Sequence, residues 1–421
     1  MNSRPKPDVR NLNIYFQVHQ PRRLGQFSFF DIGTHRDYFD DGANQIIMRR
    51  VAKDCYLPAN QLLLKLIKQY PLVRVTFSIS GVALKQMERF APAVIDSFKL
   101  LAETGSVSFL SETYYHSLAC LISPEEFAAQ VKMHQERIHH LFGMWPTVFR
   151  NTELIYSDEI GRAVRDLGFE AVFADGCESA MGICSPHHLY KHPDNNGLKI
   201  FFRNYRLSDD IAFRFLQKGG KAGPLTPKKY VQWLDGIPKD ENLITLSLDY
   251  ETFGEHQKKQ NGIFQFLEGF IALLATDKKY RMVTPEEAIH LLPPVASMSL
   301  PNPISWADRE HDLSAWLGND MQRDAFATLK KMELGVIKSG NHDLLAAWRY
   351  LQTSDHLYYM STKAGDDGNV HNYFSPYASP YEAFMNYMNV MSDLSLRIDT
   401  SDLSRNLKPV YHKINIKSAV P

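Results

Sequence analysis

The chain has 421 residues, in which 47 Lys and Arg balance 47 Asp and Glu, so its formal net charge is zero. Overall charge therefore excludes nucleic acid or an anionic membrane as a main partner. With 44% hydrophobic and 22% charged residues, the composition excludes disorder as the main state and allows a large core plus a further packed unit.

No run reaches the roughly 18 apolar residues of a spanning helix, and the first residues, MNSRPKPDVRNLN, hold no apolar stretch suited to a secretory signal. A soluble cytoplasmic protein is expected. Cys55, Cys120, Cys177 and Cys184 lack paired short spacing, which argues against a zinc knuckle or a disulfide framework.

In chain order, seven β-branched and aromatic runs alternate with helical patterns: residues 13–19, 73–79, 107–112, 147–153, 171–175, 199–204 and 243–249. YRMVT is a shorter eighth candidate. This alternation predicts a parallel sheet joined by crossover helices. Val82, Leu84, Met87, Phe90, Val94, Ile95, Phe98 and Leu101 recur near helical spacing and predict one buried stripe. Ser123-Pro124-Glu125-Glu126 and Thr284-Pro285-Glu286-Glu287 read as helix starts with a hydroxyl cap and a returning Glu.

Beyond residue 291 the texture changes. The Pro- and Ser-rich segment 292–305 reads as a linker between a barrel domain at 1–291 and a helical domain at 306–421 that contributes to the substrate groove. Helices are expected at 325–337, 342–360 and 381–396, interrupted by AGDDGN, and residues 402–421 read as an edge strand or loose tail.

Nearly all of the seven runs end in a polar or ionisable residue: His19, Glu112, Glu153, Asp175, Arg203 or Asn204, and Asp249. In a parallel barrel such tips converge on one face, where the site lies. Four segments stand out there: VHQPRRL (18–24), FLSETYYHSL (109–118), FRNTELIYSD (149–158) and LDYETFGEH (248–256). Carboxylates and imidazoles beside aromatic rings suit a neutral, hydroxyl-rich ligand. Cleaving a glycosidic bond takes two carboxyl groups, and Glu153 and Asp249 are placed for that work.

These motifs resemble those of glycoside hydrolase family 57, α-amylase branch. His19-Gln20-Pro21 resembles its first signature region, Glu112 in SETYYHSL its second, Glu153 in FRNTELIYSD its third and Asp249 in LDYETFGEH its fourth. The resemblance implies an α/β fold, an incomplete (β/α)7 TIM-like barrel followed by a helical region. It implies retaining hydrolysis of α-1,4-glucans, without cofactor or metal. Glu153 would be the nucleophile and Asp249 the general acid/base, their carboxyls about 5 to 5.5 Å apart. Asp249 must then hold a proton near neutral pH, and Tyr250 and Phe253 are candidates for its apolar setting. The fifth region has no clear counterpart in RMVTPEEAIHL.

His19 is expected to bond a sugar hydroxyl. Glu112 and His116 are candidates for substrate contact or for a polar network beneath it; Asp175 is similar. Arg203, with Asp209, either orients carboxylates and sugar or forms a salt bridge between loops. Trp306 is a candidate sugar platform, with a core role as the alternative. Trp348, His356, Tyr358 and Tyr359 are expected to be core. The rival readings are a 4-α-glucanotransferase on the same site, an inactive glucan-binding homologue, and a metal-dependent deacetylase or mannosidase-like enzyme with His19, His116, Asp175 and His256 around the ion. His187, His188 and His192 read as a surface loop rather than a metal tract.

Overall fold

The computed structural model describes residues 9–34, 36–194, 197–218 and 224–411, with side chains through 400. Two compact units result: residues 1–21 with 42–313, and 22–41 with 314–421.

Among the described residues the first unit holds nine strands: β1 (Arg10–Val18), β2 (Val75–Ile79), β3 (Val107–Phe109), β4 (Val148–Arg150), β5 (Ala171–Asp175), β6 (Leu189–Lys191), β7 (Lys199–Arg203), β8 (Leu243–Asp249) and β9 (Tyr280–Met282). One sheet runs β3-β2-β1-β8, with β9 also on β1; the other runs β4-β5-β7-β6. Every pairing is parallel except β6 with β7. Backbone bonds also link the sheets: Ser111 donates to Val148 (2.9 Å), Arg150 to Ser111 (2.8 Å), and Asn204 to Thr245 (2.8 Å). Six of the seven runs read from the sequence each contain one parallel strand, the first overlaps β1, which begins earlier at Arg10, and YRMVT supplies β9.

Successive strand residues face opposite ways, and the strands sort their side chains accordingly. Ile14, Phe16, Val18, Phe77, Ile79 and Leu248 enter a large cluster shared with the helices. Tyr15, Leu110, Val148, Phe173, Phe201 and Leu243 form a smaller cluster on the other face. The predicted stripe falls on helices Gly81–Phe90 and Pro92–Ala102, where all its members but the half-buried Phe90 are buried. Thr284 opens Pro285–Leu291 with a full capping box, whereas Ser123 caps Pro124–Phe142 alone. There Glu126 accepts from Gln130 Nε2 (2.8 Å) instead of returning to the cap.

Segment 292–305 is part of the first unit, not a free connection. Val295 and Met298 donate to Leu189 and Lys191 (both 2.9 Å), and Ile304 exchanges backbone bonds with Tyr156. The division falls after Leu313, which puts Trp306 with the strands.

The second unit is helical: Asp320–Lys331, Glu333–Ser339, His342–Leu351, Ser354–Tyr358, Gly365–Phe374 and Pro380–Tyr411. Trp316, Trp348, Leu351 and Tyr387 are buried in it, and Trp348 Nε1 donates to the Leu329 carbonyl (2.9 Å). His356 and Tyr359 are buried as well, and Tyr358 stacks on His371 (3.7 Å). The Gly/Asp-rich stretch starts a helix rather than breaking one, because Asp366 and Asp367 occupy the first turn, where negative charge is favoured. Residues 22–41 are pinned here: Phe27 N donates to Asn386 Oδ1 (2.6 Å), Gly33 N to Asp393 Oδ1 (2.7 Å) and Tyr38 Oη to Asp393 Oδ2 (2.5 Å). The expected tail is helical to Tyr411; residues 412–421, and the first eight, lie outside the described residues.

Candidate active site

Glu153 follows β4 in a short turn, Thr152–Leu154, with φ 56° and ψ 26°. Left-handed backbone strains a residue with a Cβ by about 1 to 3 kcal/mol and persists only where its surroundings fix it. Two sets of bonds do so. His116 Nε2 lies 2.9 Å from Glu153 Oε1 and Trp306 Nε1 donates to Oε2 at 2.6 Å, while Trp306 N donates to the Glu153 carbonyl at 3.2 Å. The Glu153 side chain keeps 21% exposure, so the carboxylate is held yet accessible.

His116, also at positive φ (50°), bridges two carboxylates, with Nδ1 2.8 Å from Glu112 Oε2. Burial opposes its charge, but the bonds to Glu112 and Glu153 outweigh burial and raise its pKa to about 9. The imidazolium is thus charged at neutral pH. In return Glu112, although buried, falls to about 2 through the His116 bond. Burial of Glu153 is likewise outweighed by His116, Arg150 and Trp306, which hold its carboxyl below the usual range.

Asp249, at the tip of β8, faces the opposite pressures. Burial and then the Glu153 charge push it up to about 6, against the pull of Arg150, Arg203 and His116. One carboxyl is kept ionised and the other is moved toward holding a proton. Tyr250 and Phe253 pack on Phe16 (5.1 and 5.6 Å) in the large cluster.

His19 stacks on His116 (3.9 Å between centroids, 18°), and its Nδ1 lies 2.6 Å from Ser80 Oγ. Asp175 and Arg203 pair (3.3 Å), and Arg203 also meets Asp209 (2.5 Å). The Trp306 ring carries Arg150 at 5.1 Å and Arg203 at 5.3 Å from its centroid, which connects this ion cluster to Glu153. All the expected site residues therefore lie in the first unit; contacts link His19, Glu112, His116, Glu153, Trp306, Arg203 and Asp175, and Asp249 senses the charges of Glu153, Arg150, Arg203 and His116.

Several participants escaped sequence reading. Gln17, Ser78 and Tyr15 support Glu112: Gln17 Nε2 donates to Oε1 (3.3 Å), Ser78 Oγ donates to Oε1 (2.9 Å), and Tyr15 Oη is 2.9 Å from Ser78 Oγ. The guanidinium of Arg150 is wholly buried, and its nitrogens meet no hydrogen-bond partner among the described residues. Such a cation needs compensation, and its charge is felt at Glu112, Glu153 and Asp249 alike. Glu251 is pushed up to about 8 by burial and by Asp249. It accepts from Tyr56 and from His19 N (3.3 Å).

Among the described residues, the group with metal-ligand spacing is Asp175, Cys177 and His311, not the set of His19, His116, Asp175 and His256. His187 is taken by Glu241 (2.5 Å) and Asn204, and His192 Nε2 by the Asp158 carbonyl (2.9 Å). These are structural contacts.

Residues 13–301 match the family model described as glycosyl hydrolase family 57. A relative from Methanocaldococcus jannaschii named "Putative alpha-amylase" is 41% identical over 399 residues, covering 92% of this chain and 84% of that one. The fold is similar to the α-amylase AmyC from Thermotoga maritima (TM-score 0.61, 14% identity, 95% and 98% of the two chains). It is also similar to a family 57 branching enzyme from Thermococcus kodakaraensis (TM-score 0.65, 12% identity, 87% of each). The chain belongs to glycosyl hydrolase family 57 and is a glycoside hydrolase.

Proposed function

We propose that the protein cleaves α-1,4-glucans by double displacement with retention of anomeric configuration. The observation that carries this reading is the contrast between two carboxyls that sense each other: Glu153 held ionised, Asp249 raised to about 6. That is the division of labour glycoside cleavage requires. The α-glucan substrate follows the names of the relatives.

In the first step Glu153 attacks the anomeric carbon while Asp249 passes its proton to the departing glycosidic oxygen. A covalent glycosyl-enzyme results. Asp249, now ionised, takes a proton from water, the resulting hydroxide attacks the same carbon, and Glu153 leaves as carboxylate. His116 and Trp306 aim the Glu153 carboxylate, and Arg150 favours the ionised Asp249 between the steps. His19 completes the substrate-facing shell, while the buried Glu112, Asp175 and Arg203 act from behind it, Glu112 through His116.

Seven parallel strands, with the short β9 as an eighth beside β1, and the backbone bonds between the sheets support an incomplete (β/α)7 barrel as the frame. Proton NMR of maltooligosaccharide digestion tests the reading: the first reducing ends formed should be α-anomers. Glu153→Gln and Asp249→Asn should each lose turnover while folded. First-formed β-anomers would refute double displacement, and products longer than the substrate would mark transfer to sugar in place of water.

A further inference from the structure

We propose that Asp175, Cys177 and His311 form a binding site for a zinc-class divalent cation, which would fasten the loop carrying Trp306 to the tip of β5. One oxygen, one sulfur and one imidazole nitrogen from these residues all lie within 4.8 Å of one another. Two ligands on one zinc ion sit about 3 to 4 Å apart, given bonds of roughly 2.0 to 2.3 Å. Small side-chain rotations close that gap.

The cluster is largely closed to solvent. Asp175 is fully buried and Cys177 is 1% exposed. Asp175 Oδ2 and His311 Nδ1 face each other at 2.9 Å, an ion pair when the imidazole is protonated, and a cation would take the place of that proton. Oδ1 of the same carboxylate is engaged by Arg203 Nη1 at 3.3 Å. This arrangement orients a ligating carboxylate from its outer side.

Donor chemistry selects the ion. A carboxylate, thiolate and imidazole set suits zinc and its neighbours, whereas calcium and magnesium take oxygen ligands. Three protein ligands leave one position for water. Charge balances as well: Asp175, Asp209 and a Cys177 thiolate carry three negative charges, against one on Arg203 and two on the ion.

His311 occurs at φ 51°, and its carbonyl accepts from Ser305 N at 2.9 Å. Residues 305–311 thus close on themselves with Trp306 inside the loop. A cation on His311 would tether that loop to β5, and with it the indole that holds Glu153.

Cobalt(II) is the probe, added to the full-length reduced protein. Wild type should bind one equivalent with a sulfur-to-cobalt charge-transfer band in the near ultraviolet, and zinc should displace it and raise the melting temperature. Cys177→Ser should remove the band and weaken binding by more than about 100-fold, since loss of an outer partner alone costs 10- to 100-fold. His311→Ala gives a second variant with the same expected loss of binding, should Cys177→Ser fail to fold. Cys184, the exposed thiol, is the control: Cys184→Ser should keep the band. Absence of the band in wild type, its persistence in Cys177→Ser, or its loss in Cys184→Ser would overturn the proposal.

Discussion

Replacing His116 with Gln tests whether the Glu153 carboxylate is held by a charge or by a hydrogen bond alone. The ring is buried, and its rise in pKa from 6.5 to about 9 corresponds to about 3 kcal/mol of native-state stabilisation. The depressed Glu112 value, about 2, describes the same contact from its other side, so the two are not added. Because folding raises this pKa, the contribution is complete below about pH 6.5 and disappears as pH climbs through 9. Gln can keep a hydrogen bond but not the charge. His116→Gln should therefore cost about 3 kcal/mol in urea unfolding at pH 6 and less than about 1 kcal/mol at pH 10. An equal deficit at both pH values would mean a neutral imidazole and would refute the argument.

Turnover should fall about tenfold per pH unit on the alkaline side of pH 6, as Asp249 loses its proton; a rate flat from pH 5 to 8 would remove Asp249 from the acid role. Arg150→Met takes away a charge that lowers the Asp249 pKa, so the alkaline limb should move upward, readable in a kcat/KM profile. Trp306→Phe keeps an aromatic ring but deletes the bond to Glu153 (2.6 Å). At about 1.5 to 3 kcal/mol for a bond to a charged group, kcat/KM should drop roughly 10- to 150-fold, and the acid limb should move up. In Gly254→Ala, a Cβ would meet the Asp54 carbonyl oxygen at 2.0 Å on a backbone with φ 117°. A loss of about 3 kcal/mol or more should appear in thermal melting.

The strand core was legible because strands buried on both faces read as near-continuous apolar runs. β6, three residues long and antiparallel, leaves no such trace. Glu153 and Asp249 were legible as carboxylates just after or at the ends of such runs. Arg150 was not: one position beyond Phe149 it reads as a solvated strand end, and its ring partner Trp306 is distant in sequence. Ser78 and Ser80 were available as a period-2 polar set with Thr76, whose neighbours Phe77 and Ile79 face the helices. The role of 292–305 was misread from composition, since Pro and Ser mark irregular backbone without saying whether its N–H groups find partners. His311 joins Asp175 only through a left-handed turn, which residue types alone do not announce.

The excursion at 22–41 makes neither unit a continuous piece of chain. Gly33 and Tyr38 are separated from Asp393 by 360 and 355 positions, so during synthesis this segment emerges long before its partners exist. Closing so long a loop is entropically costly and slow. Until the last helix is made, Phe29 and Phe30, which are exposed even in the finished fold, belong to an unpaired stretch open to aggregation. Cutting the chain after Leu313 would not free a self-sufficient strand domain; it would strand this segment for good.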